Sequence, residues 1–155
     1  MQKVNVILTI QNLLKYGLNT LMVRWQTLKK TGGFENMGIY GQDTLISRGE
    51  WDIFVTKLDE FGIEYESGIV ETGIVGLIKG NNPASRVVAL RADLDALPIV
   101  EENEVSYKSI NEGVMHACGH DVHTTSLLGA AKILNEIKGQ FEGTVKLFFQ
   151  PGEER

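Results

Sequence analysis

Arg86-Val87-Val88-Ala89-Leu90-Arg91 is a nearly continuous apolar run. Such a run reads as a strand buried on both faces, the environment of a parallel sheet. Upstream, Gly73-Ile74-Val75-Gly76-Leu77-Ile78-Lys79 reads as another strand, closed by a turn at Gly80-Asn81-Asn82-Pro83. Downstream, Leu127, Leu128, Ala131, Leu134 and Ile137 form the apolar stripe of a helix spanning Cys118 to Gln140, with Gly139 near its end. Gly143 opens a last strand, Thr144 to Phe149. Strand, loop, helix, strand in this order specifies an α/β unit whose two strands are joined by a right-handed crossover.

Further out, Trp51, Phe54, Val55, Leu58 and Phe61 predict a short helix from about Glu50, stopped by Gly62, with a strand over Ile63 to Glu66. Residues 34–48 lack a period and read as loop. In residues 1–30, Leu14, Leu18, Leu21, Met22, Trp25 and Leu28 recur at helical steps. An amphipathic helix packed on a neighbour explains them better than a membrane-surface helix, which would carry more basic residues.

Composition removes several function classes. The net charge of −5 is opposite in sign to what a phosphate-binding surface needs, so a nucleic-acid partner is not expected. An acidic chain gains nothing from an anionic membrane, and no stretch reaches the ~18 unbroken apolar residues of a span. The N-terminal apolar run is interrupted by polar residues and lacks a small-residue cleavage site, which argues against a signal peptide. One cysteine, Cys118, cannot make an internal disulfide, which suits a reducing cytoplasm.

The chemistry concentrates in Met115-His116-Ala117-Cys118-Gly119-His120-Asp121-Val122-His123, which holds all three histidines and the cysteine. Thiolate and imidazole both bind borderline divalent metals. Gly119 permits a tight turn between two ligands, and Asp121 could hold a histidine ring through its second N–H. A single histidine here would more often be a satisfied core or cap residue; five such groups at the mouth of a helix favour a site. Two acidic segments follow strands: Asp93-Leu94-Asp95 and Pro151-Gly152-Glu153-Glu154. Strand C-termini are where open α/β sheets bind ligands. One carboxylate of a pair can hold a cation while its neighbour serves as base, because a cation lowers the pKa of coordinated water toward about 7. A Glu-Glu pair alone would more often be a solvated turn.

Taken in order, Arg91-Ala92-Asp93-Leu94-Asp95-Ala96-Leu97-Pro98, then Asn111 to Asp121, then Phe149-Gln150-Pro151-Gly152-Glu153-Glu154, resemble the peptidase M20 family. The branch resembled is that of hippurate hydrolase, N-acyl-L-amino acid amidohydrolases and indole-acetyl-amino acid hydrolases, and the resemblance runs from about residue 52 to 155. It implies a partial zinc-exopeptidase-like α/β/α catalytic domain over residues 48–155, without the lid or dimerisation domain through which the family often forms homodimers. It implies a site for two divalent ions (zinc, manganese, cobalt or nickel) in which Cys118, His120 and Glu154 are ligands. Glu153 is then the general base, and Asp95 the aspartate that orients the site. Asp93 sits beside Asp95 without an assigned role, and His116 and His123 match family positions near the metals without a carried-over ligand role. The implied reaction is hydrolysis of the amide bond of a small N-acyl amino acid.

Residues 1–47 do not resemble the family. Further histidine ligands of the family are not found in this sequence, so the expectation is that the chain alone is inactive. The competing reading is a non-catalytic remnant that binds metal weakly or serves as an interaction domain. A third makes Cys118 a redox or nucleophilic thiol whose pKa is lowered by His116 and His120.

Overall fold

The computed structural model describes residues 39–40 and 46–154. The reading of residues 1–30 as a helix lies outside them. Two short strands, β1 (Ile39–Tyr40) and β2 (Ile46–Ser47), pair antiparallel within the stretch expected to be loop. Helix α1 (Arg48–Phe61) follows directly. Then come β3 (Glu64–Ile69), β4 (Gly73–Lys79), β5 (Val87–Asp93), α2 (His120–Glu136), a 3₁₀ turn (Lys138–Gln140) and β6 (Thr144–Gln150).

The last four strands form one mixed sheet in the order β3-β4-β6-β5. β4 runs antiparallel to both β3 and β6, whereas β5 and β6 are parallel. A parallel pair cannot be closed by a tight turn, so the chain crosses back through α2. The core follows from period-two alternation on the central strands. Ile74 and Ile78 of β4 and Val145, Leu147 and Phe149 of β6 point to one face. There they meet Phe54 and Leu58 of α1 and Leu127, Leu128 and Ala131 of α2 in a single cluster. Phe54 and Phe149 stack with centroids 6.1 Å apart. The described helices thus cover one sheet face, giving a mixed α/β layer pair.

The apolar run that predicted β5 gave the right element but the wrong surroundings. β5 lies at the sheet edge, and Val87 and Val88 are 58% and 49% exposed. α2 enters over the carboxyl end of β5, where Ala92 and Asp93 are buried, and leaves its first half uncovered among the described residues. The helix α2 is also shorter than its stripe suggested. It ends at Glu136, and the chain tightens into the 3₁₀ turn before β6. That connection packs closely against the turn after β4: a Cβ on Gly80 would lie 2.5 Å from the Phe141 carbonyl oxygen and 2.6 Å from its ring, so only glycine fits.

The sheet brings three segments to one end. Asp93 pairs with Gln150, and Leu94 N–H donates to the Gln150 carbonyl, so the residues leaving β5 and β6 emerge side by side. A bridge between Leu97 and Met115 folds the intervening loop back and returns the chain to this end just before Cys118. Among the described residues no helix is long and apolar enough to cross a membrane.

Candidate metal centre

Gly119 sets the entry to α2. Its φ of +124° is costly for a side-chain-bearing residue, and the turn it makes leaves the Cys118 thiol and the His120 ring within reach of one cation. His120 is then 2% exposed, pressed against the carboxyl end of β5. Its Nδ1 lies 2.8 Å from the Asp95 carbonyl oxygen, which can only accept, so Nδ1–H donates. In the neutral ring this leaves the Nε2 lone pair directed away from that contact, the tautomer that metal-binding imidazoles use.

Around Nε2 stand three carboxylate oxygens from three residues: Asp93 Oδ2 at 3.7 Å, Glu153 Oε2 at 3.8 Å and Glu154 Oε1 at 3.8 Å. These gaps are too long for hydrogen bonds. Ligand atoms about 2.0–2.2 Å from a common tetrahedral ion lie roughly 3.4 Å apart, so the spacing is close to what a shared cation requires. Two donor sets meet this condition, Cys118–His120–Glu154 and Asp93–His120–Glu153, with the donor atoms of each within 4.8 Å of one another. One imidazole, one sulfur and several carboxylates suit zinc or a neighbouring divalent ion.

The surroundings hold these donors in place. Asp95, 4% exposed, accepts the Glu154 N–H on Oδ2 at 3.1 Å, tying the Glu153-Glu154 turn to the strand that bears Asp93. Its Oδ1 is buried without a hydrogen bond, although His120 Nδ1 is 3.3 Å away. The donor geometry favours the main-chain oxygen over this carboxylate oxygen. Thr124, one helical turn after His120, donates to the Asp93 carbonyl at 2.7 Å. His123 Nδ1 lies 2.7 Å from Asp93 Oδ1 and its ring stacks near that of His120, centroids 5.9 Å apart. Arg91 Nη1 approaches Asp93 Oδ2 at 3.4 Å. Burial of Asp93 works to raise its pKa, but the His123 hydrogen bond, its own backbone and the two imidazoles outweigh this and lower it.

The structure therefore brings together Asp95, Cys118, His120, Glu153 and Glu154. It adds Asp93, singled out in the sequence without a role, and Thr124, whose hydroxyl gave no signal because Thr in a first helical turn is common. Asp121 is not the group that holds His120 or His123. The ring nitrogen of His120 is held by the Asp95 carbonyl, and that of His123 by Asp93. The electrostatics also run against the reactive-thiol reading. A hydrogen bond to Glu154, then burial and the charges of Glu154, Glu153 and Asp93, push the exposed Cys118 thiol pKa up, whereas a nucleophilic cysteine needs it lowered.

Residues 89–155 match the sequence profile of Peptidase family M20/M25/M40. An IAA-amino acid hydrolase, ILR1-like 5, of Arabidopsis thaliana is 53% identical over 100 residues, which are 64% of this chain and 22% of that protein. The hippurate hydrolase of Campylobacter jejuni is 53% identical over 98 residues, 63% of this chain and 25% of that protein. Among solved structures, the Bacillus subtilis YXEP protein, a dinuclear metal-binding peptidase of the M20 family, superposes with a TM-score of 0.70 at 35% identity. That superposition covers 90% of this chain and 37% of the other. The chain thus spans about a quarter of the length of the curated relatives it matches.

Proposed function

From the premise that this chain carries part of a peptidase family M20 domain, a metal-dependent hydrolase by resemblance, we propose that it furnishes the proton-transfer half of an active site that hydrolyses the amide bond of N-acyl amino acids. One observation carries this reading. A buried imidazole with its Nδ1–H already donated meets a thiol and three carboxylates at the sheet's carboxyl end.

Cys118, His120 and Glu154 would hold a divalent ion, which supplies Lewis acidity at the substrate carbonyl and lowers the pKa of water beside it. Glu153 takes a proton from the attacking water and returns it to the leaving nitrogen, giving a carboxylic acid and a free amino acid. Its side chain is 40% exposed, so it can reach substrate while its neighbour Glu154 stays anchored through its own N–H to Asp95. Asp95 orients the turn and, through its carbonyl, the imidazole. Three protein donors are fewer than a two-ion site takes, so the chain by itself turns over little or no substrate. Its metal is zinc, manganese, cobalt or nickel, and its lone thiol, unpaired in any disulfide, fits a cytoplasmic setting.

A chimera tests this. The matched 98 residues of this chain replace their counterparts in the Campylobacter jejuni hippurate hydrolase. Chelator-sensitive release of glycine from hippurate is expected, and Glu153→Gln should abolish it while metal still binds. A folded, metal-loaded chimera that remains active after Glu153→Gln would defeat the assignment.

A further inference from the structure

The turn that carries Glu153 and Glu154 leaves the sheet between two neighbours. On the β5 side it is tied to Asp95 through the Glu154 N–H. On the β4 side stands the end of the β3–β4 hairpin. The antiparallel register that pairs Ile74 with Phe149 puts Gly73 opposite Gln150 and Thr72 opposite Pro151. A Cβ on Gly73 would lie 3.2 Å from Pro151 Cδ, so hairpin and turn are in close contact. Pro151 has no N–H to donate, and the β4–β6 ladder stops there. We propose that Thr72 is a positioning residue for this turn: when a cation draws Glu154 in, the Thr72 hydroxyl donates to a main-chain oxygen of Pro151 or Gly152 and fixes the direction of Glu153. The proposal rests on the metal-site reading above and adds to it a group from outside the donor sets.

Three observations carry it. Thr72 is fully buried, yet its Oγ1 has no hydrogen-bond partner among the described residues. The buried hydroxyls of Thr124 and Thr125 both donate to main-chain carbonyls. A hydroxyl left unpaired in the interior costs stability that a valine of the same shape would not. The second observation is that Asp95 Oδ1, across the same turn, is likewise buried without a hydrogen bond. Two unpaired oxygens flanking one short turn mark a turn that has further bonds to make. Gly152, at φ +67°, gives it a residue whose main chain can rotate without a side chain in the way.

The third is the backbone of the hairpin end. Val70 and Glu71 stand at φ of +49° and +68°, directly after a bulge between Ser67 and Ile69. A β-branched residue in the left-handed region is strained, and Val70 is 76% exposed, so it gains no burial in return. The Thr72 N–H donates to the Val70 carbonyl at 2.9 Å and closes this shape. Strain of this kind gathers where a chain must hold a group in one place. Here the group held is Thr72.

Zinc binding by the 155-residue chain tests this, measured by competition with a chromophoric chelator beside urea denaturation of the chelated protein. Thr72→Val keeps the shape and removes the hydroxyl. It should raise the urea midpoint, because an unpaired group is gone, and weaken zinc by about tenfold, as loss of a group supporting a metal ligand does. Thr72→Ser should restore wild-type zinc affinity within about twofold, since it returns the donor. A residue with a purely structural role would not move stability and affinity in opposite directions. In the wild type, nuclear magnetic resonance should show the Thr72 hydroxyl proton exchanging more slowly once zinc is added, a readout that needs no variant to fold. Zinc affinity of Thr72→Val equal to that of the wild type, or a hydroxyl proton that exchanges as fast with zinc as without it, overturns the proposal and leaves the metal-site reading standing. A wild type that binds no zinc overturns both.

Discussion

Replacing Asp95 by asparagine separates two effects that usually move together. In the metal-free chain, the Asp95 carboxylate is 4% exposed, accepts one backbone N–H, and stands among Asp93, Glu153 and Glu154. The N–H bond to an ionised acceptor is worth about 1.5–3 kcal/mol. Asparagine keeps an acceptor there, so only part of that is lost, and removing one of four neighbouring negative charges offsets it. The expected change in metal-free stability is therefore within about 1 kcal/mol in either direction. Metal affinity responds differently. The turn bearing Glu154 is loosened and a nearby anion is lost, so zinc should bind about 10- to 100-fold more weakly, or about 1.4–2.8 kcal/mol. Chemical denaturation of the chelated protein gives the first quantity, and competition with a chromophoric chelator the second. Zinc affinity unchanged within twofold, in a variant that folds normally, would refute the view that Asp95 organises this site.

Two further outcomes follow from the packing and the charges. Leu147 is fully buried at the centre of the sheet, with its side chain against the face of Gly76, so Leu147→Ala should cost about 2–5 kcal/mol by urea denaturation. Glu64, exposed at the surface, pairs with Lys79 across β3 and β4, and the hydrogen bond and charge of Lys79 lower its pKa. Because the folded pKa lies below the unfolded one, this pair stabilises the chain above the ordinary glutamate pKa, and the contribution fades as pH falls through the folded value. Carbon-detected titration should find Glu64 below the ordinary glutamate range, and Lys79→Met should return it there.

Much of this architecture was legible in the residues, for reasons that also explain the gaps. Continuous apolar runs at 73–79 and 86–91 and the stripe Leu127–Leu128–Ala131 mark elements whose packing forces a period on the sequence. A period says which way side chains point but not whether a neighbouring strand exists, so the exposure of Val87 and Val88 was invisible. The site divided in the same way. Cys118, His120, Glu153 and Glu154 stand out by type and by position after strands. The partner of His120 is a carbonyl, an atom every residue has, and no composition could single out Asp95 for it. The place of Asp93 opposite Glu153 depends on the parallel register of β5 with β6, which only the pairing of distant segments defines.

That register has a consequence for how the chain reaches its native form. The donors of the pocket come from three stretches that are remote along the polymer, and the strand pair beneath them is joined through the crossover helix α2. Non-local closures of this kind form late and slowly. A cation added to the unfolded chain finds only scattered weak sites, so its main binding energy is released in the last steps and is registered as protection of the assembled state. Refolding rates should therefore respond little to added metal, whereas unfolding should slow in proportion to how tightly the ion is held.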